Sequence, residues 1–254
     1  MMEKTFHTDL LLGDVGRYVL LPGAPERAEQ IARHFDCPRL VASKREFVTY
    51  TGFLDGVPVS VTSTGVGGPS ASIAIEELIM VGADTMIRVG TCGGMQHEVL
   101  PGDLVLATGA IRAEGTSAEY LPVEFPAVAH PTVLSALCGA ADKLGFRHHV
   151  GVVHCKDSFY CETEFTRMPM HEEIARRWHT WIAGGCLASE METAVLFVLG
   201  SMFRLRTGSL CLTVSNKERE IAGLVEAAVH DTEPAIRTAV EALRILIRAD
   251  RQEC

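Results

Sequence analysis

No run of apolar residues in this chain is long enough to cross a bilayer. The longest, Ala194–Phe203, falls well short of the roughly 20 residues that a membrane-spanning helix requires. The eight cysteines, at positions 37, 92, 138, 155, 161, 186, 211 and 254, include no CxxC pair, and none has a local signature of a nucleophile. A disulfide scaffold belongs to shorter, loop-rich secreted chains; most of these thiols sit in apolar runs, where cysteine acts as a small hydrophobe. The first stretch, MMEKTFHTDLLLGDVG, lacks the apolar core and cleavage site of a signal peptide, so a reducing cytoplasm is the expected location. No basic stripe is present, and a formal net charge of -9 makes nucleic acid a poor partner. An anionic substrate would have to be captured by locally placed arginines. The ten histidines show no HExxH spacing, Ser158 is not in GxSxG, and Thr64–Gly68 (TGVGG) is neither GxGxxG nor a GK[ST] loop. Zinc hydrolysis, esterase chemistry and a dinucleotide or NTP fold therefore find no support.

Low-complexity segments, internal repeats and long linkers are also missing, so residues 1–254 read as one domain. With 47% hydrophobic and 22% charged residues, the chain has material for a sizeable core. Short apolar runs at Tyr18–Leu21, Phe47–Leu54, Val57–Thr62, Thr85–Val89, Asp103–Ala107, His149–His154 and Thr207–Val214 read as strands. Helical patterns cover Pro25–Phe35, a segment opened by Pro69, Pro131–Leu144, Glu172–Trp181, Ser189–Met202 and Glu233–Arg248. Asp55-Gly56 is a strong hairpin signal because both residues tolerate positive φ. Alternation of strands with helices favours an α/β fold with a mostly parallel central sheet flanked on both faces. Ligands in such folds collect where loops leave the strand ends.

Ser63–Met95 is the most informative segment, with two glycine-rich turns on either side of one helix. Arg88 lies between Ile87 and Val89 in a strand that reads as buried, directly before Gly90, Thr91, Gly93 and Gly94. A guanidinium there needs a partner to offset desolvation: either a small anion or a carboxylate such as Asp84 or Glu77. Gly23 and Arg27 open the first helix, as an anion site or as an ordinary turn with a solvated arginine. Glu190 and Glu192 introduce an apolar helix, where i, i+2 spacing would turn them to different faces. They read either as N-terminal helix charges or as acceptors for the two hydroxyls of a sugar. Asn216 and Lys217 end a strand, as catalytic groups or as plain loop.

Taken in order, Leu21–Ala32, Ser43–Phe47, Ser63–Leu78, Ile87–Gly94, Glu124–Ala129, Asp157–Tyr160 and Ser189–Ala194 resemble the nucleoside phosphorylase superfamily, and within it the bacterial uridine phosphorylase branch. The resemblance spans nearly the whole chain. It implies a single domain whose central mixed sheet curls into a distorted barrel flanked by helices, assembled as homodimers or as a homohexamer, a trimer of dimers. It further implies phosphorolysis of a pyrimidine nucleoside, uridine or a close analogue, with inorganic phosphate as co-substrate and no required cofactor. A purine phosphorylase or nucleosidase of the same fold, or a non-catalytic nucleoside-binding protein, are the alternatives.

By the same resemblance, Gly23, Arg27, Arg88 and Thr91 would hold phosphate, with Arg45 from a neighbouring subunit. Glu190, Met191 and Glu192 would hold ribose with His7 of that neighbour; Arg88, Thr91 and Glu192 would carry catalysis. Phe6 from the neighbour, Phe159, Thr163, Arg167, Val214 and Ser215 would surround the base. Some members bind a monovalent cation such as potassium at the dimer interface, at positions matching Glu46, Val66 and Ser70. One departure stands out. Members of this branch read uracil with a glutamine and an arginine in a PGQxR insert, whereas here Phe159-Tyr160 runs into CETEFTR. Direct register brings Thr163 and Phe165 to those positions. Arg167 fits if the loop is two residues longer, and Glu162 or Glu164 is available to an imide N–H. Purine members usually carry an aspartate where Asn216 stands, and asparagine has no titrating proton to give.

Overall fold

The computed structural model describes residues 4–253; Met1–Glu3 and Cys254, the last of the eight cysteines, lie outside the described residues. The first half of the chain comprises β1 (Tyr18–Pro22), α1 (Pro25–Ala32), β2 (Asp36–Lys44), β3 (Phe47–Leu54), β4 (Val57–Thr62), α2 (Gly68–Met80), β5 (Thr85–Gly94) and β6 (Leu104–Ala113). There follow α3 (Thr116–Tyr120), β7 (Ala127–Val128), α4 (Pro131–Leu144), β8 (His148–Lys156), α5 (Tyr160–Thr163) and, after a 3-10 turn, α6 (His171–Ala183). The chain continues through β9 (Ala188–Glu190), α7 (Thr193–Met202), β10 (Arg206–Asn216), α8 (Lys217–Ile221) and α9 (Glu233–Glu253).

The β3–β4 hairpin turns on Asp55 and Gly56, at φ of 50° and 75°, as their residue types predict. Pro25, Pro69 and Pro131 each sit in the first turn of a helix, where the missing N–H costs nothing. Among the segments that differ from the sequence expectation are β9 and β2. Ser189 lies in a strand rather than a helix: Ala188–Glu190 pairs with β5 and β8, and the helix begins only at Thr193. Three residues are too few to show a period of two. The exposed strand β2 was not expected at all, since its burial pattern carries almost no apolar face.

β5 pairs in parallel with β10, β10 antiparallel with β6, β6 in parallel with β8, β8 in parallel with β9, and β9 antiparallel with β5. Those five strands close a barrel, from which β1, β4, β3 and β2 extend beyond β5. Parallel and antiparallel pairings are both numerous, so the sheet is mixed rather than mostly parallel: the returns β5–β9 and β6–β10 reverse direction.

Alternation along each strand divides the core in two. Leu20, Ile87, Leu106 and Leu210 face one layer, covered by α1, α4 and α9. Val19, Met86, Val105 and Cys211 face the other, covered by α2 and α7.

Asp250 on α9 ties that helix to the sheet. Arg206, opening β10, donates to both its oxygens at 2.7 Å, and the Tyr18 hydroxyl donates to Oδ2. The Arg206 hydrogen bonds lower the Asp250 pKa to about 2, with burial opposing them. A depressed carboxylate stabilises the fold above its unfolded-state pKa, and that contribution fades as the solution is acidified through the folded value. Between about pH 4 and pH 2 the wild type should therefore lose stability more steeply than Asp250→Asn. Urea unfolding across that range measures the difference, and parallel curves would show that Asp250 carries no such linkage.

Candidate active site

Arg88 is 6% exposed and sits in β5, so its guanidinium can persist only with compensation. Neither Asp84 nor Glu77 supplies it. Asp84 pairs with Arg17, while Glu77 accepts the backbone N–H groups of His7 and Thr8. The partners are the two glutamates around Met191: Arg88 Nε donates to Glu190 Oε2 at 2.9 Å, and Nη2 donates to Glu192 Oε2. Because Glu190 ends a strand and Glu192 caps α7, helical geometry does not separate them. Burial alone would lower the Arg88 pKa, but the charges of Glu192 and then Glu190 raise it above its ordinary value. Burial raises the Glu192 pKa, although Arg88 acts against it.

Glu190 has a second duty. Its carboxylate accepts the backbone N–H groups of Glu192 and Thr193 at 2.9 to 3.1 Å, satisfying the otherwise open first turn of α7. Glu192 in turn accepts the N–H of Gly67 at 2.5 Å. Gly90 makes this packing feasible: a Cβ there would lie 2.6 Å from Arg88 Nη2 and 2.9 Å from Cys211 Sγ.

The arginine and its partners face a cavity of about 980 Å³ at the strand ends. Gly23, Arg27, Arg88, Thr91, Glu190, Met191 and Glu192 all line it. Arg27 contacts only the Val89 carbonyl, at 3.4 Å, and forms no ion pair among the described residues. Burial, then the like charge of Arg88, lowers its pKa. Arg27, without an ion-pair partner of its own beside the paired Arg88, offers an anion position.

Of the residues expected around a base, Phe159, Thr163, Val214 and Ser215 line the same cavity, as does Phe165. Val214 occupies an irregularity in the β10–β5 register, the kind of bulge that re-aims a side chain. Arg167 is not brought to the cavity. It pairs with Glu164 at 2.8 Å and lies over the Tyr160 ring, because the 3-10 turn Phe165–Arg167 carries it outward. Asn216 does not line the cavity either. Its amide donates to the Gln96 and Val99 carbonyls at 2.8 Å, and its oxygen caps α8, so it holds the loop.

Phe6, His7 and Arg45 also stand outside this chain's own cavity. Phe6 is 74% exposed, with the Lys44 ammonium donating to its carbonyl at 2.6 Å. Arg45 is exposed at φ 56° in the β2–β3 turn, and His7 Nδ1 meets Glu77 Oε1 at 2.7 Å. Glu46, Val66 and Ser70 border the cavity, with Ser70 Oγ 2.9 Å from Glu46 Oε1 and 2.6 Å from the Thr64 carbonyl.

Sequence reasoning offered Glu162 to an imide N–H but missed the charged cluster that holds it. Lys156, ending β8, donates to Glu162 Oε2 at 2.7 Å and to Ser189 Oγ at 2.5 Å. His154 Nδ1 lies 2.8 Å from Glu162 Oε1. Burial would raise the Glu162 pKa, but the His154 hydrogen bond and the Lys156 charge bring it below the ordinary value. Lys156, Glu162 and Ser189 line the cavity beside Trp178. The signal was available in the form that betrayed Arg88: a cation at the end of an apolar strand run.

A family model described as the phosphorylase superfamily matches residues 17–249. The chain belongs to that superfamily. Its barrel of five strands and flanking helices is the fold expected of a nucleoside phosphorylase. The chain is 56% identical over 245 residues to a uridine phosphorylase of Treponema pallidum (strain Nichols), covering 96% of this chain and 95% of that protein. A uridine phosphorylase of Thermococcus kodakarensis is 43% identical over 253 residues, covering 98% and 88%. A guanosine phosphorylase of Halorubrum lacusprofundi is 38% identical over 255 residues, covering 96% and 100%. In this chain, Glu190→Ala strips one of two carboxylates from a buried guanidinium and opens the α7 N-terminus. Breaking such a pair costs about 3–5 kcal/mol. Chemical denaturation should show a loss of that order, and a change below about 1 kcal/mol would mean that Glu192 alone suffices for Arg88.

Proposed function

We propose that this chain catalyses phosphorolysis of a pyrimidine nucleoside, uridine or a close analogue, and is thus a pentosyltransferase. One observation carries the reading: Arg27 and Arg88 share a glycine-walled cavity with Glu192, an anion position beside a buried carboxylate. A phosphate oxygen attacks C1′ of the ribose as the bond from C1′ to the base nitrogen breaks. The bonding pair leaves with the base, which takes up a proton, and ribose 1-phosphate remains. Holding phosphate between fixed guanidiniums and Thr91 turns an encounter into a positioned attack. Glu192 accepts ribose hydroxyls beside Met191, and its charge opposes the cationic character that grows on the sugar. Inorganic phosphate is the co-substrate, and the chemistry calls for no further cofactor. Its compartment is the cytoplasm; no helix among the described residues is long and apolar enough to cross a membrane.

The working unit is at least a homodimer, or a trimer of such dimers, with each site shared between subunits. Support comes from charge. Arg27, Arg88, Glu190 and Glu192 form a set of two cations and two anions, so phosphate gains little net attraction without another cation. Arg45 supplies it from the adjoining subunit, on the same exposed face that bears Phe6 and His7. Glu46, Ser70 and the Val66 backbone offer hard oxygens suited to a potassium ion near that boundary.

Incubation with uridine, thymidine, inosine and adenosine, each with and without phosphate, tests the reaction. Uridine should be consumed only when phosphate is present. Turnover indifferent to phosphate would point to hydrolysis instead. Arg45→Ala removes a charge-assisted contact of about 1.5–3 kcal/mol, which predicts a rise of about tenfold to a hundredfold in KM for phosphate. The variant should retain its sedimentation behaviour, and an unaltered phosphate KM would remove Arg45 from the site.

A further inference from the structure

Three groups in the cavity are left unused by the phosphate and ribose chemistry: Lys156, Glu162 and Ser189. Their side chains are deeply set, with Lys156 and Glu162 only 11% and 12% exposed. An ion pair in that position costs desolvation, and in many folds apolar residues of similar volume would serve stability as well. Their hydrogen bonding shows what remains to be offered. An ammonium has three donors. Lys156 gives one to Glu162 Oε2 and one to Ser189 Oγ, which leaves a third. A carboxylate has about four acceptor positions. Glu162 spends Oε2 on Lys156 and the Ser189 hydroxyl, and one place on Oε1 is taken by His154. The pair thus retains one donor and one acceptor side by side. His154 is itself held by the Trp178 and Trp181 rings, at centroid distances of 6.4 and 6.2 Å. Phe159 and Thr163, on the same turn as Glu162, line the cavity around it.

A donor beside an acceptor is the complement of a ring N–H beside a carbonyl, the lactam edge of uracil at N3 and O4. Cytosine reverses the pattern, presenting a bare ring nitrogen and an amino group. That would set a lone pair against the carboxylate and an N–H against the ammonium. Glu164, the other carboxylate of this turn, cannot take the role because it is turned out to Arg167.

Resting on the phosphorolysis proposed above, we infer that Lys156 and Glu162 read the base. Glu162 accepts the ring N–H, Lys156 donates to the neighbouring carbonyl, and Ser189 and His154 position them. The pair replaces a glutamine and arginine with a lysine and glutamate, and selects uracil over cytosine by charge and polarity rather than by shape.

The test compares wild type, Glu162→Gln and Lys156→Met for kcat/KM with uridine, cytidine and 3-methyluridine, and for binding of free uracil, cytosine and 3-methyluracil by calorimetry with phosphate present. Wild type should favour uridine over both competitors by at least about a hundredfold, since buried polar groups left unpaired reject a substrate steeply. In Glu162→Gln an amide can donate to the cytosine ring nitrogen, so the uridine-to-cytidine ratio should shrink at least about tenfold. Lys156→Met should lower kcat/KM for uridine while the KM for phosphate stays unchanged, a split that general loosening of the fold would not give. A folded Glu162→Gln enzyme with the wild-type ratio would overturn the inference. So would wild type that takes 3-methyluracil as tightly as uracil, a result that needs no variant. A wild type without turnover that still binds uracil over cytosine would sink the phosphorolysis reading and leave this one standing.

Discussion

A guanidinium buried inside a parallel strand is the constraint around which the rest of this molecule is arranged. Arg88 has almost no contact with solvent, so it requires anions fixed by the fold, and two are delivered from one short stretch of chain. The delivery depends on barrel closure. β9 must insert between β5 and β8, in register with Gly93-Gly94 and with His154-Cys155, for Glu190 to reach Arg88 Nε. Gly90 must lack a side chain, since any Cβ would displace the guanidinium. Glu190 also closes the N-terminal turn of α7, so the helix, the strand end and the arginine stand or fall together. A buried ion pair is seldom the most stable choice for a core. Here it fixes the orientation of a guanidinium that lines the cavity, as the phosphate and ribose binding proposed above requires.

The same charges bear on the shared site proposed above. Arg88 is already matched by carboxylates, while Arg27 has no carboxylate partner among the described residues. An oxyanion entering that space meets a locally balanced set. The exposed Arg45 turn and the Phe6-His7 segment are built with care despite facing away from their own cavity. Glu77 is 6% exposed and accepts three hydrogen bonds from the backbone of His7 and Thr8, and Lys44 holds the Phe6 carbonyl. Held in this way, the segment has the fixed geometry that the shared site proposed above requires.

How far the sequence disclosed this differs by feature, for physical reasons. Arg88 stood out because an arginine inside an apolar run violates the expected pattern, and the glycines after it allow close approach. The hairpin at Asp55-Gly56 and the helices opened by Pro25, Pro69 and Pro131 were legible from local backbone preference alone. What local patterns cannot show is closure. Nothing near Glu190 announces that it ends a strand of three residues, so the two glutamates read as helical and appeared to diverge. For the same reason the carboxylates offered as alternatives to an anion at Arg88 were the nearer Asp84 and Glu77, although its partners lie 102 and 104 positions away. Asn216 invited a chemical reading from its place at a strand end, yet all its hydrogen-bonding capacity is spent on two carbonyls and a helix cap.

β9 also joins the two charged clusters of the cavity. Successive residues of a strand point in opposite directions, and here Ser189 goes to Lys156 and Glu162 while Glu190 goes to Arg88. One strand of three residues therefore fixes the spacing between the anion end and the polar pair on β8 and α5. Each cluster carries its own counter-charges, so a neutral nucleoside can lie across both without stranding a buried ion. On the roles proposed above, substitutions at Lys156 or Glu162 should chiefly alter which base is accepted, and those around Arg88 how phosphate is held. The β9 backbone links them covalently, where Ser189 pairs with Gly93 and Ala188 with Gly94. Glycines at those partner positions add no side chain of their own, which leaves the strand's placement to its hydrogen bonds and to the two polar clusters it serves.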